Sequence, residues 1–146
     1  MSIYVILSFV LGFTLAQILK LIIFLIVNCG KKAKAKEIFG WLVKSGGMPS
    51  GHSASFGAAT TYIGFHEGFD SVIFALALCM MIVIVYDAVN VRYATGEQGK
   101  KINKIIEKQK IDEKGVKVIE GHTKIEVLAG TLLGILIGVI IFSIFG

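Results

Sequence analysis

Four apolar runs separated by polar stretches, two of them rich in lysine, constrain this chain more than any other feature. Residues 3 to 27 are almost wholly apolar, and further runs cover about 50 to 65, 72 to 91 and 123 to 145. A helix needs about 20 such residues to cross a bilayer, and it satisfies its own backbone there, where an open strand cannot. The expected fold is therefore all-α, a polytopic membrane helical bundle. It has four transmembrane helices plus short interfacial amphipathic helices, in one membrane-embedded domain over residues 1–146. Composition agrees, since 55% of the residues are hydrophobic, against about 45–50% in soluble domains.

The net charge of +5 is distributed between the apolar runs. That placement reads as membrane topology rather than as a nucleic-acid surface. Lysines fill the loops at 29–47 and 93–121, whereas the N-terminus, the 66–70 turn and the C-terminus carry no Lys or Arg. The positive-inside rule then puts both chain ends away from the cytoplasm, as expected of a plasma (inner) membrane protein. Ile38, Trp41 and Leu42 at helical spacing predict a surface helix within 31–44, and Ile102, Ile105 and Ile106 predict another. Cys29 and Cys79 show no metal or redox spacing and read as free thiols. No basic flank or small-residue cleavage site precedes the first run, so it is expected to be retained as a span.

Polar residues interrupt the apolar runs at a few places only. Gln17 and Lys20 share neighbouring faces of the first run, and Lys20 lies about 12 Å from its end at 1.5 Å per residue. A lysine at that depth calls for a partner or a cavity. Gly47-Met48-Pro49-Ser50-Gly51-His52-Ser53 opens the second run and holds the only proline. Proline suits a first helical turn, whose free N–H groups bind anions. Ser50 adds a hydroxyl or simply caps the helix, Gly51 permits close approach, and His52 can carry a proton near neutral pH. The small residues from Ser53 to Thr61 place this helix in the crowded middle of the bundle.

Asp87 ends the third run with Asn90 and Arg92 beside it, a site candidate by its depth. Five residues put Asp87 and Arg92 about 140° apart on an ideal helix, so no direct pair is expected. His122 and Glu126 open the last run one turn apart, and Gly130, Gly134 and Gly138 continue that interval as a packing ridge. The histidine reads as a held, basic imidazole. With the expected topology, Lys20, Ser50, His52, Asp87, Arg92, His122 and Glu126 all fall at the cytoplasmic end.

At these residues the chain resembles the type-2 phosphatidic acid phosphatase and vanadium haloperoxidase superfamily, and more closely its divergent branch of small membrane proteins. The matching pieces are Gln17 with Lys20, Gly47 to Ser53, Asp87 to Arg92 with Gly96, and Gly121-His122-Thr123 with Glu126-Val127. The resemblance implies His122 as nucleophile, Glu126 as its orienting partner and His52 as proton donor to the leaving alkoxide. It implies phosphate binding by Lys20, Ser50, Gly51 and Arg92, with Gln17, Asp87 and Asn90 as supporting candidates. The pattern departs from the family's usual one in four ways, the first being that Asp87 has no counterpart there. Arg92 and His122 are far apart in sequence, no Arg-Pro pair follows Lys20, and the partner is glutamate.

The implied activity is metal-independent hydrolysis of a lipid phosphomonoester, of the phosphatidylglycerophosphate or phosphatidic acid type, through phosphohistidine. It needs no metal and no cofactor. The expected partners are the bilayer and the lipid phosphate, with no nucleic acid and the homodimer left open. Two rivals stand beside it. The paired Gly-His-Ser and Gly-His-Thr openings suit an anionic-lipid carrier or flippase, and two histidines with two carboxylates suit a metal-dependent site.

Overall fold

The computed structural model describes residues 2–28, 47–118 and 121–146. The surface helix expected within 31–44, and Cys29, lie outside the described residues. The chain forms α1 (Ser2–Val27), α2 (Gly51–Glu67), α3 (Val72–Tyr86), a π-helical turn (Asp87–Val91), α4 (Arg92–Gln109) and α5 (Lys124–Phe145).

Local chemistry fixes the helix ends. The Ser50 hydroxyl caps α2 by accepting from the Ser53 N–H, and the Ser71 hydroxyl caps α3 by accepting from the Phe74 N–H at 3.2 Å. Between them Gly68 turns the chain at φ 93°, a conformation that suits glycine. Lys110 closes α4 in the left-handed region at φ 51°. Thr123 and Glu126 form a capping box at the start of α5, each side chain satisfying the other residue's backbone N–H.

Three helical stretches are long and apolar enough to cross a membrane: Ser2–Val27, Val72–Gln109 and Lys124–Phe145. The run expected as a second span forms α2, whose 17 residues cover only about 25 Å at 1.5 Å per residue. This helix is the buried centre of the bundle, with Ala54, Ala58 and Tyr62 fully covered. Its small residues explain both facts, because they lower its hydropathy and let three neighbours approach. The helix also runs on to Glu67, so His66 and Glu67 stand in its last turn rather than in the connection.

The third run departs further from expectation. No break follows residue 91; the helix continues through the π turn to Gln109. Its 38 residues span about 57 Å against an apolar core of about 30 Å, so the charged half projects beyond it. The stretch after α4 is exposed, as a solvated loop should be, and is pinned to the helix. The Asn103 amide donates to the Val116 carbonyl at 3.0 Å and accepts from the Val116 N–H at 2.7 Å.

Glycines set the closest packing. A Cβ on Gly130, Gly134 or Gly138 would overlap the carbonyl oxygens of Ser50, Ala54 and Ala58 in turn. This register makes α2 and α5 parallel, their polar openings side by side. On the other flank, Gly12 of α1 faces the Ala54 carbonyl, where a Cβ would lie at 2.7 Å. Tyr62, Ile137 and Ile141 form the core beyond these contacts, with Tyr4, Leu7 and Leu11 of α1 against them. By contrast α3 has no buried residue and leans on α2 alone among its larger contacts.

The seam between α2 and α5 should therefore be intolerant of one added methyl. We expect Gly134→Ala to cost about 1–3 kcal/mol, the usual penalty of overpacking, by thermal unfolding in detergent. Leu132→Ala on the lipid-facing side of α5, where Leu132 is exposed, should unfold close to the unchanged protein. Equal stabilities for the two variants would contradict the close approach.

Candidate functional site

Each polar intrusion is delivered to one end of the bundle by a different helix. On α1, Ser8, Gly12, Ala16 and Lys20 are the buried residues, four apart and so on one face. That face packs against α2 and carries the Lys20 side chain inward, only 3% exposed. Gln17, one turn from Phe13, sits opposite the α2 opening, its Nε2 within 3.9 Å of where a Cβ on Gly51 would stand. Its Oε1 is buried and has no hydrogen-bond partner among the described residues.

The opening of α2 is built for structure and leaves donors over. Ser50 is fully buried as the cap. Its hydroxyl accepts from Ser53 Oγ at 3.0 Å, its carbonyl accepts from the Ala54 N–H at 3.0 Å, and its own N–H donates to the Glu126 carbonyl at 3.0 Å. The N–H groups of Gly51 and His52 have no partner among the described residues. They therefore stand as unpaired donors at the positive end of a helix dipole, where an anion is favoured. His52 is exposed, with its ring edge-on to Phe13 at 6.5 Å.

Asp87 and Arg92 do pair, against the expectation from ideal helix geometry: Arg92 Nε lies 2.6 Å from Asp87 Oδ2. The π turn is the reason. It shifts the hydrogen bond from four residues to five, so the Arg92 N–H donates to the Asp87 carbonyl and brings the two side chains onto one face. The same shift leaves the Ala88 carbonyl to accept the His122 N–H at 3.1 Å. One bulge thus aligns an ion pair and anchors a histidine. The guanidinium's remaining donors have no partner among the described residues. Asn90 is exposed and bonds back to the Tyr86 carbonyl at 3.3 Å, so it is not drawn into the cluster.

His122 stands in the turn ahead of α5, 5% exposed. Its Nδ1 is 3.3 Å from Glu126 Oε2, the same oxygen that accepts the Thr123 N–H at 2.9 Å. Burial lowers the His122 pKa below the usual histidine value, outweighing the opposing pull of Glu126. That shift favours the neutral ring, and Nε2 has no hydrogen-bond partner among the described residues. Charges from Lys20 and His52 also act on it, while Arg92, Lys20 and Asp87 act on His52, and Glu126 acts on Lys20. Six side chains from four segments therefore share one electrostatic neighbourhood, although no hydrogen bond or ring contact joins the two imidazoles.

Sequence reasoning missed the polar cavity beside Glu126. It holds about 210 Å³ and is lined by Tyr93, Gly96, Lys100, Thr123 and Glu126. The closeness of Gly121 to the Arg92–Tyr93 backbone shapes it, and the only sequence signal was the glycines. Among the described residues, no three of His, Cys, Asp and Glu cluster as metal ligands.

The family described as "Divergent PAP2 family" matches residues 1–137 of the chain. The "Uncharacterized membrane protein YuiD" of Bacillus subtilis (strain 168) is 33% identical over 147 residues, covering 89% of this chain and 88% of that protein. No solved structure matches the chain.

Two outcomes follow from this geometry. Thr123→Ala removes the cap and should cost about 1 kcal/mol in a denaturant titration, and an unchanged midpoint would contradict the capping box. The second concerns pH. A histidine whose folded pKa is depressed binds fewer protons folded than unfolded, so its stabilisation is complete above the unfolded value of about 6.5 and is lost as pH falls below it. Stability should therefore drop on acidification from pH 6.5, and His122→Gln should flatten that slope. An unaltered slope in the variant would contradict the burial of a neutral ring.

Proposed function

Because the chain belongs to the divergent PAP2 family, we propose that it is an integral-membrane phosphatase acting on a lipid phosphomonoester at the cytoplasmic leaflet. The single observation that carries this reading is the His122 ring, fixed through Nδ1 by Glu126 and within electrostatic reach of Lys20 and His52. A neutral imidazole oriented by a carboxylate is a covalent nucleophile through its other nitrogen.

The steps balance as follows. His122 Nε2 attacks phosphorus in line, and the bond from phosphorus to the lipid alkoxide oxygen breaks. Protonated His52 gives its proton to that oxygen, releasing the lipid alcohol. Water then attacks the phosphohistidine, His52 takes a proton from it, and the nitrogen–phosphorus bond breaks to release inorganic phosphate. Lys20, the free Gly51 and His52 N–H groups and the outer donors of Arg92 hold the equatorial oxygens, where electrostatic preorganisation acts. Ser50 fixes the helix end by accepting from Ser53, and its own hydroxyl proton is left to donate to a phosphate oxygen.

In the same reading α2 crosses the apolar layer as a fourth span inside the other three. Both lysine-bearing connections then lie at the cytoplasmic face, which suits phosphatidic acid or phosphatidylglycerophosphate. The parallel packing of α2 and α5, with their like openings, supports one rival, a non-hydrolytic carrier of the same anionic lipid.

Phosphate release separates the two. Purified protein in mixed micelles should release inorganic phosphate from phosphatidic acid or phosphatidylglycerophosphate. His122→Ala and His52→Ala should each lower the rate by about 10²–10⁴, the usual worth of such groups. Equal rates in all three proteins would overturn the hydrolytic reading, and lipid movement across vesicles without phosphate release would favour the carrier.

A further inference from the structure

A groove of about 290 Å³ lies between α1 and α3 over α2. Its walls are Phe9 of α1, Phe56, Ala59 and Ile63 of α2, and Ala77 and Met80 of α3. Three stripes connect it to the polar cluster. On α2, His52, Phe56, Thr60 and Ile63 recur at intervals of four, four and three, one helix face. On α1, Phe9, Phe13 and Gln17 recur at intervals of four. Ring contacts lock these two stripes together, Phe9 on Phe56 at 5.1 Å and Phe13 on His52 at 6.5 Å. On α3, Met80 and Asp87 are seven apart and share a face, and the Asp87 charge reaches His52.

The helix faces that line the groove thus carry site candidates at their polar ends: His52 on α2, Gln17 on α1 and Asp87 after α3. From His52 to Ile63 the floor is about 16 Å long at 1.5 Å per residue, close to half of an apolar core of about 30 Å. That is the depth of one leaflet. A groove cationic at its interfacial end and apolar for one leaflet fits an amphiphile whose anionic head and acyl chain lie in line. The Thr60 hydroxyl does not spoil the lining, because it donates to the Ala77 carbonyl at 3.4 Å. The Gln17 carbonyl, buried and unpartnered, stands at the junction, where a hydroxyl of the lipid's glycerol or of its phosphate can donate to it.

The geometry points to this groove as the seat of one acyl chain of a phosphomonoester lipid whose phosphate occupies the cluster at His52, Arg92 and His122. The inference rests on the anion-binding reading of that cluster but not on turnover, so its test uses a lipid that cannot be hydrolysed. The probe is a phosphonate analogue of phosphatidic acid with a diazirine midway along one acyl chain. Its control is phosphatidylcholine carrying the same chain. After irradiation in nanodiscs of the full chain, peptide mass spectrometry compares adducts on Phe56, Ala59 and Met80 with those on Leu132 and Leu136 at the lipid face of α5.

The phosphonate probe should label the groove about ten-fold over the α5 face, and phosphatidylcholine should show no such excess. Arg92→Ala should reduce the excess, as should inorganic phosphate added to the unaltered protein, a check that needs no variant to fold. Equal labelling of the two faces, the same groove excess with both probes, or a groove closed to label by a second copy of the chain would each overturn the inference. Failure of the hydrolytic reading alone would show as intact groove labelling with no phosphate release from the natural lipid.

Discussion

The approach of α5 to α2, backbone against backbone at three successive turns, is the constraint on which the rest depends. Lipid offers helices little hydrophobic reason to associate, so contact of small residues must supply the attraction. The register of Gly130, Gly134 and Gly138 against Ser50, Ala54 and Ala58 decides which residues meet at the polar end. It brings the Glu126 carbonyl to the Ser50 N–H, and with it His122 to the opening that carries His52. A slip of one turn would separate the two histidines and leave the Ser50 N–H buried without a partner, at a cost of about 1–3 kcal/mol.

The π turn supplies the other half of the assembly. An unbroken α-helix would turn Asp87 and Arg92 away from each other and would engage the Ala88 carbonyl internally. Five-residue bonding reverses both outcomes, and the freed carbonyl anchors the chain just ahead of α5. Charge balance in the cluster then becomes informative. Lys20 and Arg92 are offset by Asp87 and Glu126, so the cluster carries no large excess of positive charge when both rings are neutral. Under the proposed function, an arriving phosphate would meet its compensation at the helix opening and through proton uptake on His52. In this account the cluster acquires its complementarity in the reaction, where differential binding accelerates chemistry.

Much of this was legible in the sequence because it rests on periodicity. The apolar runs gave the helices, the four-residue glycine interval gave the seam, and polar residues at the ends of such runs gave the cluster. What escaped has a common cause. The pairing of Asp87 with Arg92 could not be read because a π turn breaks the ideal-helix angle from which the prediction was made. The continuation of α3 into α4 was hidden by a change from apolar to charged residues, which marks the edge of the apolar layer rather than the end of a helix. Ser50 was legible as a cap and as a phosphate ligand alike, and only its hydrogen bonds show that the cap is formed. The lowered His122 pKa reflects burial that no local motif reports.

The central claim is that His122, oriented by Glu126, becomes covalently phosphorylated. The most direct measurement is rapid acid-free quenching of the purified protein with head-labelled phosphatidic acid or phosphatidylglycerophosphate, followed by identification of the labelled peptide. The account predicts an alkali-stable, acid-labile phosphate on the peptide containing His122, absent from His122→Ala. Phosphate released from the lipid with no label ever passing through that histidine would contradict it.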